Sequence, residues 1–345
     1  MKVDVGLWAE LPDTVKRARE LEAIGYDGMY VPETGHDPFV PMALVAEHTT
    51  RIQLRTGVAV AFPRSPTHLA MVANDLHVLS KGRFQLGLGS QTKAHNERRF
   101  STPWSRPTHR MRELILAIRA IWRCWNQGEK LDFEGEFYRL NLMSPFFSPP
   151  PSQYGTPPIL LGTLGPKMTE VAGEVADGVL LHGLSSPRYV SEVSLPALER
   201  GLAKAGRSRD EVEFVFPSIV AVGDTDEEMD MATGKLKTHL AFYGSTPDYK
   251  RVMDLHGWQD AQEELHRMSR QGRWDEMGAL ITDEMLDALS VRGTTDTLAA
   301  DIMRRVGGLA DRVSFYSSGD LSVERTKHIV DMLKKEKSRA ERAAG

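Results

Sequence analysis

Residues 157–181, PPILLGTLGPKMTEVAGEVADGVLL, contain a short apolar strand, a Gly-rich turn, a helix beginning at Pro166 and a second apolar strand. A strand, a crossover helix and a second strand form a βαβ unit, in which the two strands pair in parallel. At the N-terminus of the helix, backbone N–H groups and the helix dipole favour an anion. The segment therefore predicts an α/β fold that holds a phosphorylated ligand.

The same alternation of strand and helix extends over the first hundred residues. Strands are predicted at 3–7, 27–32, 52–60 and 82–89, with helices between them at 11–24, 39–46 and 69–79. Such a pattern is typical of parallel strands with right-handed crossovers, in either an open doubly wound sheet or a closed barrel. Strands at 159–161, 179–181, 213–222 and 313–317 bring the count to eight, which favours the (β/α)8 TIM barrel.

Three segments interrupt this alternation of strands and helices. We predict one barrel domain over residues 1–335, with excursions at about 91–106, 126–158 and 243–277, and a charged tail at 336–345. The second excursion contains a hairpin pattern around Gly135. Loops that follow barrel strands build the active-site face, so the first and third excursions are candidates for a substrate lid or, alternatively, for packing or dimer contacts.

Composition narrows the classes of function. The 345 residues carry 43 Lys and Arg against 47 Asp and Glu, a formal net charge of −4, so neither nucleic acid nor an anionic membrane is an expected partner. No apolar signal core precedes the first strand, and the cytoplasm is the expected compartment. The single cysteine, Cys124, is expected to be a buried thiol. No His-x-His pair or His-Glu-x-x-His helix is present, so no metal site is predicted.

The turn of the βαβ unit is the strongest candidate ligand site. The backbone amides of Gly162, Thr163, Leu164 and Gly165 can surround an anion, Lys167 adds a positive charge, and Pro166 suits the first helical position. The turn has neither the P-loop spacing nor the three-glycine dinucleotide fingerprint. Glycines after a strand also serve simply as tight turns.

Two further strands end in segments that are rich in small residues. The third strand leaves through Thr56 to Pro66 and the fourth through Gly87 to Gln91, where a flat ring can approach the backbone and Ser90 and Gln91 can hydrogen-bond a heterocycle. A strand end turning through Pro63 is the structural alternative. After the second strand, Glu33 and His36 are candidates for proton transfer, whereas Asp37 before Pro38 is typical of a helix cap.

The order of these sequence motifs resembles that of the luciferase-like monooxygenase superfamily of flavin- and deazaflavin-dependent barrels. The resemblance is greatest to the branch of this superfamily that uses coenzyme F420. The resemblance covers roughly residues 1 to 320. The motifs that carry it are GYDGMYVPE at 25–33, TGV at 56–58, the 82–90 strand with its Ser90 exit, FEGEFY at 133–138, and the βαβ unit ending in ADG at 176–178.

The resemblance implies a bacterial luciferase-like barrel with a non-prolyl cis peptide between Gly57 and Val58, bulging against the central ring of the cofactor. It implies cofactor contacts at the strand ends, from Gly57, Val58, Ala59, Ser90, Gln91, Gly162, Thr163, Leu164, Gly165, Pro166, Lys167, His182 and Gly183. Many deazaflavin relatives have an acid-His pair directly after the second strand. Here Thr34 follows Glu33 and His36 comes later, so either Glu33 or His36 is the candidate catalytic group.

The resulting hypothesis is an oxidoreductase that exchanges a hydride between coenzyme F420 and a small organic substrate. The alternatives are a monooxygenase that uses reduced FMN and oxygen on the same scaffold, and a deazaflavin-binding protein without turnover. The resemblance also implies a homodimer. The substrate is not assigned from the sequence.

Overall fold

A computed structural model describes residues 1–317 and 321–336. Its barrel strands, numbered in chain order, are β1 (Lys2–Gly6), β2 (Gly28–Val31), β3 (Gln53–Thr56), β4 (Phe84–Gly89), β5 (Ile159–Thr163), β6 (Gly178–Leu181), β7 (Glu213–Val222) and β8 (Arg312–Ser317). Each predicted strand is present. The predicted (β/α)8 TIM barrel is confirmed.

All the barrel strands pair in parallel, and each neighbours the next in sequence. Val3 of β1 is level with Val313 of β8, and Leu161 of β5 is level with Val179 of β6. The sheet closes because β7 pairs with both β6 and β8 and β8 pairs with β1. Closure brings the carboxyl ends of all the strands to one face, where loops build a site.

Helices surround this barrel. The longer ones are α1 (Thr14–Ile24), α2 (Phe39–His48), α3 (Pro66–Leu79), α4 (Pro107–Gln127), α5 (Pro166–Val175), α6 (Leu195–Ala205), α7 (Asp226–Gly244), α8 (Lys250–Leu255), α9 (Gln259–Arg270), α10 (Asp283–Leu289), α11 (Leu298–Val306) and α12 (Val323–Lys335). Helix α1 ends at Gly25, whose φ of 107° is a left-handed conformation that glycine adopts without strain. None of the described helices is long and apolar enough to cross a membrane.

The structure corrects the predictions for the third strand and for Cys124, agrees with the predicted hairpin and adds one short strand. The predicted strand at 52–60 is broken after Thr56, and a separate short strand, Ala59–Val60, pairs with β4. The hairpin around Gly135 forms from Phe133–Glu134 and Arg139–Leu140. A short strand at Val291–Gly293, missed by the sequence pattern, extends the sheet beside β7. The Cys124 side chain is half-buried rather than buried, and packs against the core. The predicted tail lies, beyond Glu336, outside the described residues.

A charged cluster occupies the inside of the barrel at its amino end. The Asp4 carboxylate accepts hydrogen bonds from Arg55 and from Arg312, whose Nε lies 2.8 Å from Asp4 Oδ2. Burial alone would raise the pKa of Asp4, but the two guanidinium groups hold it well below its usual range. Pairing thus makes a fully buried carboxylate tolerable and ties together β1, β3 and β8.

The third excursion, at 243–277, packs around a second apolar core. Its side chains pack with those of α7 and α10 and with residues of β7 and of the segment after β6, among them Ile219 and Leu184. Leu240, Val252, Leu265 and Met277 are almost completely buried there. The excursion is therefore a folded helical layer beside the ends of β6 and β7.

Candidate active site

Three strand ends meet at the Val58 side chain. The peptide bond between Gly57 and Val58 is cis. A Cβ atom on Gly89 would overlap Val58 Cγ2, and one on Gly162 would lie only 3.1 Å from Val58 Cγ1. Glycine at both positions therefore lets the ends of β4 and β5 approach the segment after β3. The structure brings Gly57, Val58 and Gly162, predicted separately from the sequence, to one place.

Tyr30 covers Gly57 from the barrel side. A Cβ atom on Gly57 would lie 2.6 Å from Tyr30 Cδ2, so only glycine fits beneath the ring. The Tyr30 hydroxyl is hydrogen-bonded to Ser314 of β8, and burial raises the pKa of Tyr30 to about 12. The phenol is therefore neutral and joins the β3 end to the opposite side of the barrel.

The predicted strand, turn and helix are present at the start of α5, where the candidate anion-binding turn lies. The helix begins at Pro166, with Gly165 as its N-cap in an extended conformation. Thr163 Oγ1 is buried and has no hydrogen-bond partner among the described residues. Leu164 is engaged differently, because its carbonyl oxygen accepts a hydrogen bond from the Tyr189 hydroxyl at 3.1 Å. Lys167 is exposed and forms no ion pair with a described residue.

Two further groups, one beside this turn and one in the loop after β6, were not predicted from the sequence. The Arg251 guanidinium lies against Gly165, with Nη1 2.5 Å from where a Cβ would be. Ser185, in the loop after β6, has a buried hydroxyl without a partner in the described chain. Arg251 comes from a helix remote in sequence, and neither residue belongs to a local motif. Arg251 adds a positive charge beside the candidate anion-binding turn.

Ser90 and Gln91 leave β4 on the same face. Gln91 has a positive φ of 56°, and its side-chain oxygen accepts the N–H of Thr92 at 2.9 Å. The Ser90 carbonyl accepts a hydrogen bond from Asn96 Nδ2 at 2.8 Å. The Gln91 amide is thus partly engaged in shaping its own turn. Ala59 is fully buried and pairs with Leu88 of β4.

Glu33 and His36 have very different surroundings. Glu33 Oε2 accepts hydrogen bonds from the Val60 backbone N–H and from Arg64 Nη1, both at 2.7 Å. Arg64 also reaches Asp37 at 2.7 Å, and the Asp37 carboxylate accepts the N–H of Phe39, consistent with the predicted helix-capping role. His36 is exposed, in the loop between Glu33 and α2. Of the two candidates, Glu33 is held in an ion pair, whereas His36 faces solvent.

His182 lies in an aromatic group at the end of β6. Its ring centroid is 4.1 Å from that of Tyr249 and 4.8 Å from that of Tyr243. Burial, and to a lesser extent the charge of His239, lowers the pKa of His182 to about 4. Its Nδ1 accepts the Leu184 N–H at 3.1 Å, so the neutral ring carries its proton on Nε2. The adjacent Gly183 lies near Tyr243, whose Cε2 would be 3.6 Å from a Cβ there.

Among the described residues, no group of three or more His, Cys, Asp or Glu is arranged to hold a metal ion. The donors at the strand ends are instead backbone amides, hydroxyls and a guanidinium. These groups suit an organic ligand that carries an anionic tail.

The fold and this face define a (β/α)8 barrel whose candidate ligand site lies at the carboxyl ends of the strands. Residues 3–312 match the family model described as luciferase-like monooxygenase, and the chain belongs to this family.

Relatives of known and unknown activity match most of the chain. An uncharacterized protein of Mycobacterium tuberculosis is 48% identical over 313 residues, covering 91% of this chain and 92% of that protein. The 5,10-methylenetetrahydromethanopterin reductase of Archaeoglobus fulgidus is 30% identical over 298 residues, covering 84% and 83%. The solved structure of the coenzyme F420-dependent tetrahydromethanopterin reductase from Methanopyrus kandleri superposes with a TM-score of 0.80 at 21% identity, covering 97% and 98%.

Proposed function

We propose that this protein binds coenzyme F420 at the carboxyl ends of its strands and transfers a hydride between it and a small organic substrate. The proposal rests on the close approach of the Val58 side chain to Gly89 and Gly162. Because neither glycine has a side chain, these strand ends form a flat surface on which a planar heterocycle can lie. The named reductases among the relatives support F420 as the cofactor.

The residues around this surface fit the remainder of such a cofactor. A deazaflavin with a phosphodiester tail needs an anion site and partners for the hydroxyls of its ribityl chain. The start of α5, together with Arg251, offers the anion site. The unpartnered hydroxyls of Thr163 and Ser185 offer hydrogen bonds to the ribityl hydroxyls. When bound, the cofactor supplies a carbon centre that carries or accepts a hydride.

The chain would contribute position and proton chemistry. Glu33 and Arg64 hold the segment that follows Val58, so they act on the site by positioning it. His36 is the proposed proton carrier, because its imidazole ring is exposed in the loop after β2 and is free of any described hydrogen bond or ion pair. The substrate's heteroatom would gain or lose this proton as its carbon gains or loses the hydride.

Binding by two cofactors tests the proposal. The purified protein is titrated with F420 and, separately, with FMN, and the cofactor's absorbance and fluorescence are followed. We expect F420 to bind more tightly than FMN. Preferential binding of FMN would overturn the proposal in favour of the FMN-dependent monooxygenase, the alternative that the sequence resemblance leaves open.

A variant pair connects this binding to the site. Thr163→Val removes a buried hydroxyl that has no protein partner, so it should leave the free protein folded while reducing F420 affinity about tenfold, the value of one lost hydrogen bond. Ser194→Ala removes another buried, unpartnered hydroxyl, in the helical segment before α6, and serves as the matched control. Equal affinities in the two variants would contradict the placement of the cofactor.

A protein that binds F420 without turnover remains the alternative function. It predicts the same titration but no hydride exchange with any electron acceptor. Reduction or oxidation of bound F420 in the presence of a panel of acceptors distinguishes the two.

A further inference from the structure

A cavity of about 590 Å³ opens beside the end of β8. The residues that line it are Lys235, Thr238, His239, Phe242, Trp274, Met277 and Tyr316. Its volume is in the range of small-molecule sites. Phe242, Trp274 and Tyr316 are 53%, 45% and 40% exposed, unusually open for large aromatic side chains.

One face of α7 forms the wall of this cavity. Lys235, Thr238, His239 and Phe242 follow each other at intervals of three, one and three residues, which places them on one side of the helix. Leu236 and Leu240, by contrast, are almost completely buried in the second apolar core. The helix therefore uses one face for packing and presents the other to the cavity.

Aromatic contacts connect the cavity to the strand ends. The His239 ring lies 5.2 Å from Tyr316 and 4.5 Å from Tyr243, and Tyr243 in turn contacts His182 at 4.8 Å. Tyr316 belongs to β8, which lies across the closed barrel from β4. The proposed cofactor surface on β3, β4 and β5 and the cavity near β8 thus occupy opposite sides of one barrel mouth.

The described residues that line the cavity carry positive charge but no negative charge. Lys235 has no ion-pair partner among the described residues, and none of the described lining residues is a carboxylate. His239 adds little positive charge near neutral pH, because burial lowers its pKa. Phe242 and Trp274 contact each other with centroids 6.0 Å apart, and Tyr316 lies among the same lining residues. An aromatic chamber with one free ammonium group favours a planar anion.

We propose that this cavity is the substrate chamber and that it takes planar aromatic molecules carrying an anionic group, with the ring against Phe242, Trp274 and Tyr316 and the anion at Lys235. The assignment as substrate chamber rests on the proposed hydride transfer. The preference for planar anions stands on the cavity alone and is testable without cofactor.

The test compares two probes of the same shape and different charge. Binding of 2-naphthoate and of neutral 2-naphthamide to the cofactor-free protein is measured by calorimetry, with quenching of tryptophan fluorescence as a second signal because Trp274 lines the cavity. We expect naphthoate to bind at least fivefold more tightly. Lys235→Met should remove this preference, while Lys237→Met, on another side of the same helix, should keep it.

Trp274→Ala provides a second test, which addresses the aromatic part of the proposed binding mode. Because Trp274 is 45% exposed, its loss should leave the protein folded but weaken both probes at least fivefold. Equal affinity of the two probes, a preference that survives Lys235→Met, or full affinity in Trp274→Ala would each overturn the proposal. The F420 titration is run on the same variants, so failure of the cavity assignment and failure of the cofactor assignment give different results.

Discussion

The Glu33 carboxylate accepts the backbone N–H of Val60 at 2.7 Å, which ties the end of β2 to the chain two residues beyond Val58. Arg64 completes this arrangement by bonding both the Glu33 carboxylate and the Val60 carbonyl oxygen, each at 2.7 Å. The acid that the sequence offers as a proton donor is therefore one that the fold uses to hold the candidate cofactor surface.

Glu33→Gln separates a positioning role from a catalytic one. The amide keeps an acceptor for Val60 but loses the ion pair with Arg64, so we expect the free energy of unfolding to fall by about 2 kcal/mol. F420 affinity should fall as well, because the segment after Val58 is held less firmly. Urea denaturation and F420 titration measure the two effects.

Asp37→Asn is the control for this variant, since Asp37 also pairs with Arg64 but is 46% exposed. Its effect should stay within about 0.5 kcal/mol. A Glu33→Gln protein of unchanged stability and affinity that has lost turnover would show that Glu33 is the catalytic acid instead.

His36→Ala tests the proposed proton carrier. Because the side chain is exposed and makes no described contact, we expect the melting temperature and F420 affinity to stay unchanged. The rate of hydride exchange should fall at least tenfold, as loss of a general acid or base usually causes. Stopped-flow measurement of F420 absorbance gives this rate, and an unchanged value would remove His36 from the mechanism.

Gly89→Ala and Val58→Ala test the packing of the strand ends together. The added methyl group of Gly89→Ala overlaps Val58 Cγ2, so we expect a loss of about 1–3 kcal/mol in stability and weaker F420 binding. Val58→Ala removes the overlapping atom, and the double variant should recover part of the loss caused by Gly89→Ala. Additive losses in urea denaturation would mean that the two residues do not meet as described.

The depressed pKa of His182 predicts a stability that depends on pH. Its pKa of about 4 in the folded chain lies below the ordinary value of 6.5, so the unfolded chain binds more protons between these two values. The contribution of His182 is fully present above pH 6.5 and is lost as the pH falls toward 4. Between pH 6.5 and 5 the loss amounts to about 2 kcal/mol.

Urea denaturation at pH 7 and pH 5 measures this dependence. His182→Asn keeps a side-chain acceptor for the Leu184 N–H but has no titrating ring, so its stability should change less between the two pH values than that of the unaltered protein. An identical pH dependence in both proteins would show that other groups cause it.

Much of the architecture is predictable because it depends on local patterns. Alternating apolar strands and amphipathic helices imply parallel pairing, and eight strands suffice to close a barrel. The break after Thr56 escaped this reasoning, because the apolar run continues through Val58 while the backbone changes direction. The strand at 291–293 escaped it because three residues carry no periodic signal.

The candidate site was only partly predictable. Gly162 to Lys167 stands out because a Gly-rich strand-to-helix turn is a local motif, whereas Arg251 reaches the same place from a helix more than eighty residues away. The stripe of Lys235, Thr238, His239 and Phe242 is visible in the sequence as a helical spacing. Its exposure to a cavity, rather than to the core, depends on which face of α7 the barrel covers.

The sequence by itself determined the order of strands and helices and placed small residues at the ends of three strands. It also carried the resemblance to a family of cofactor-binding barrels. Tertiary structure decided that Glu33 pairs with Arg64, that His182 stays neutral and that an aromatic cavity opens beside β8. The reason is physical: periodicity and turn chemistry act between neighbouring residues, whereas ion pairing, burial and cavities arise from groups that only folding brings together.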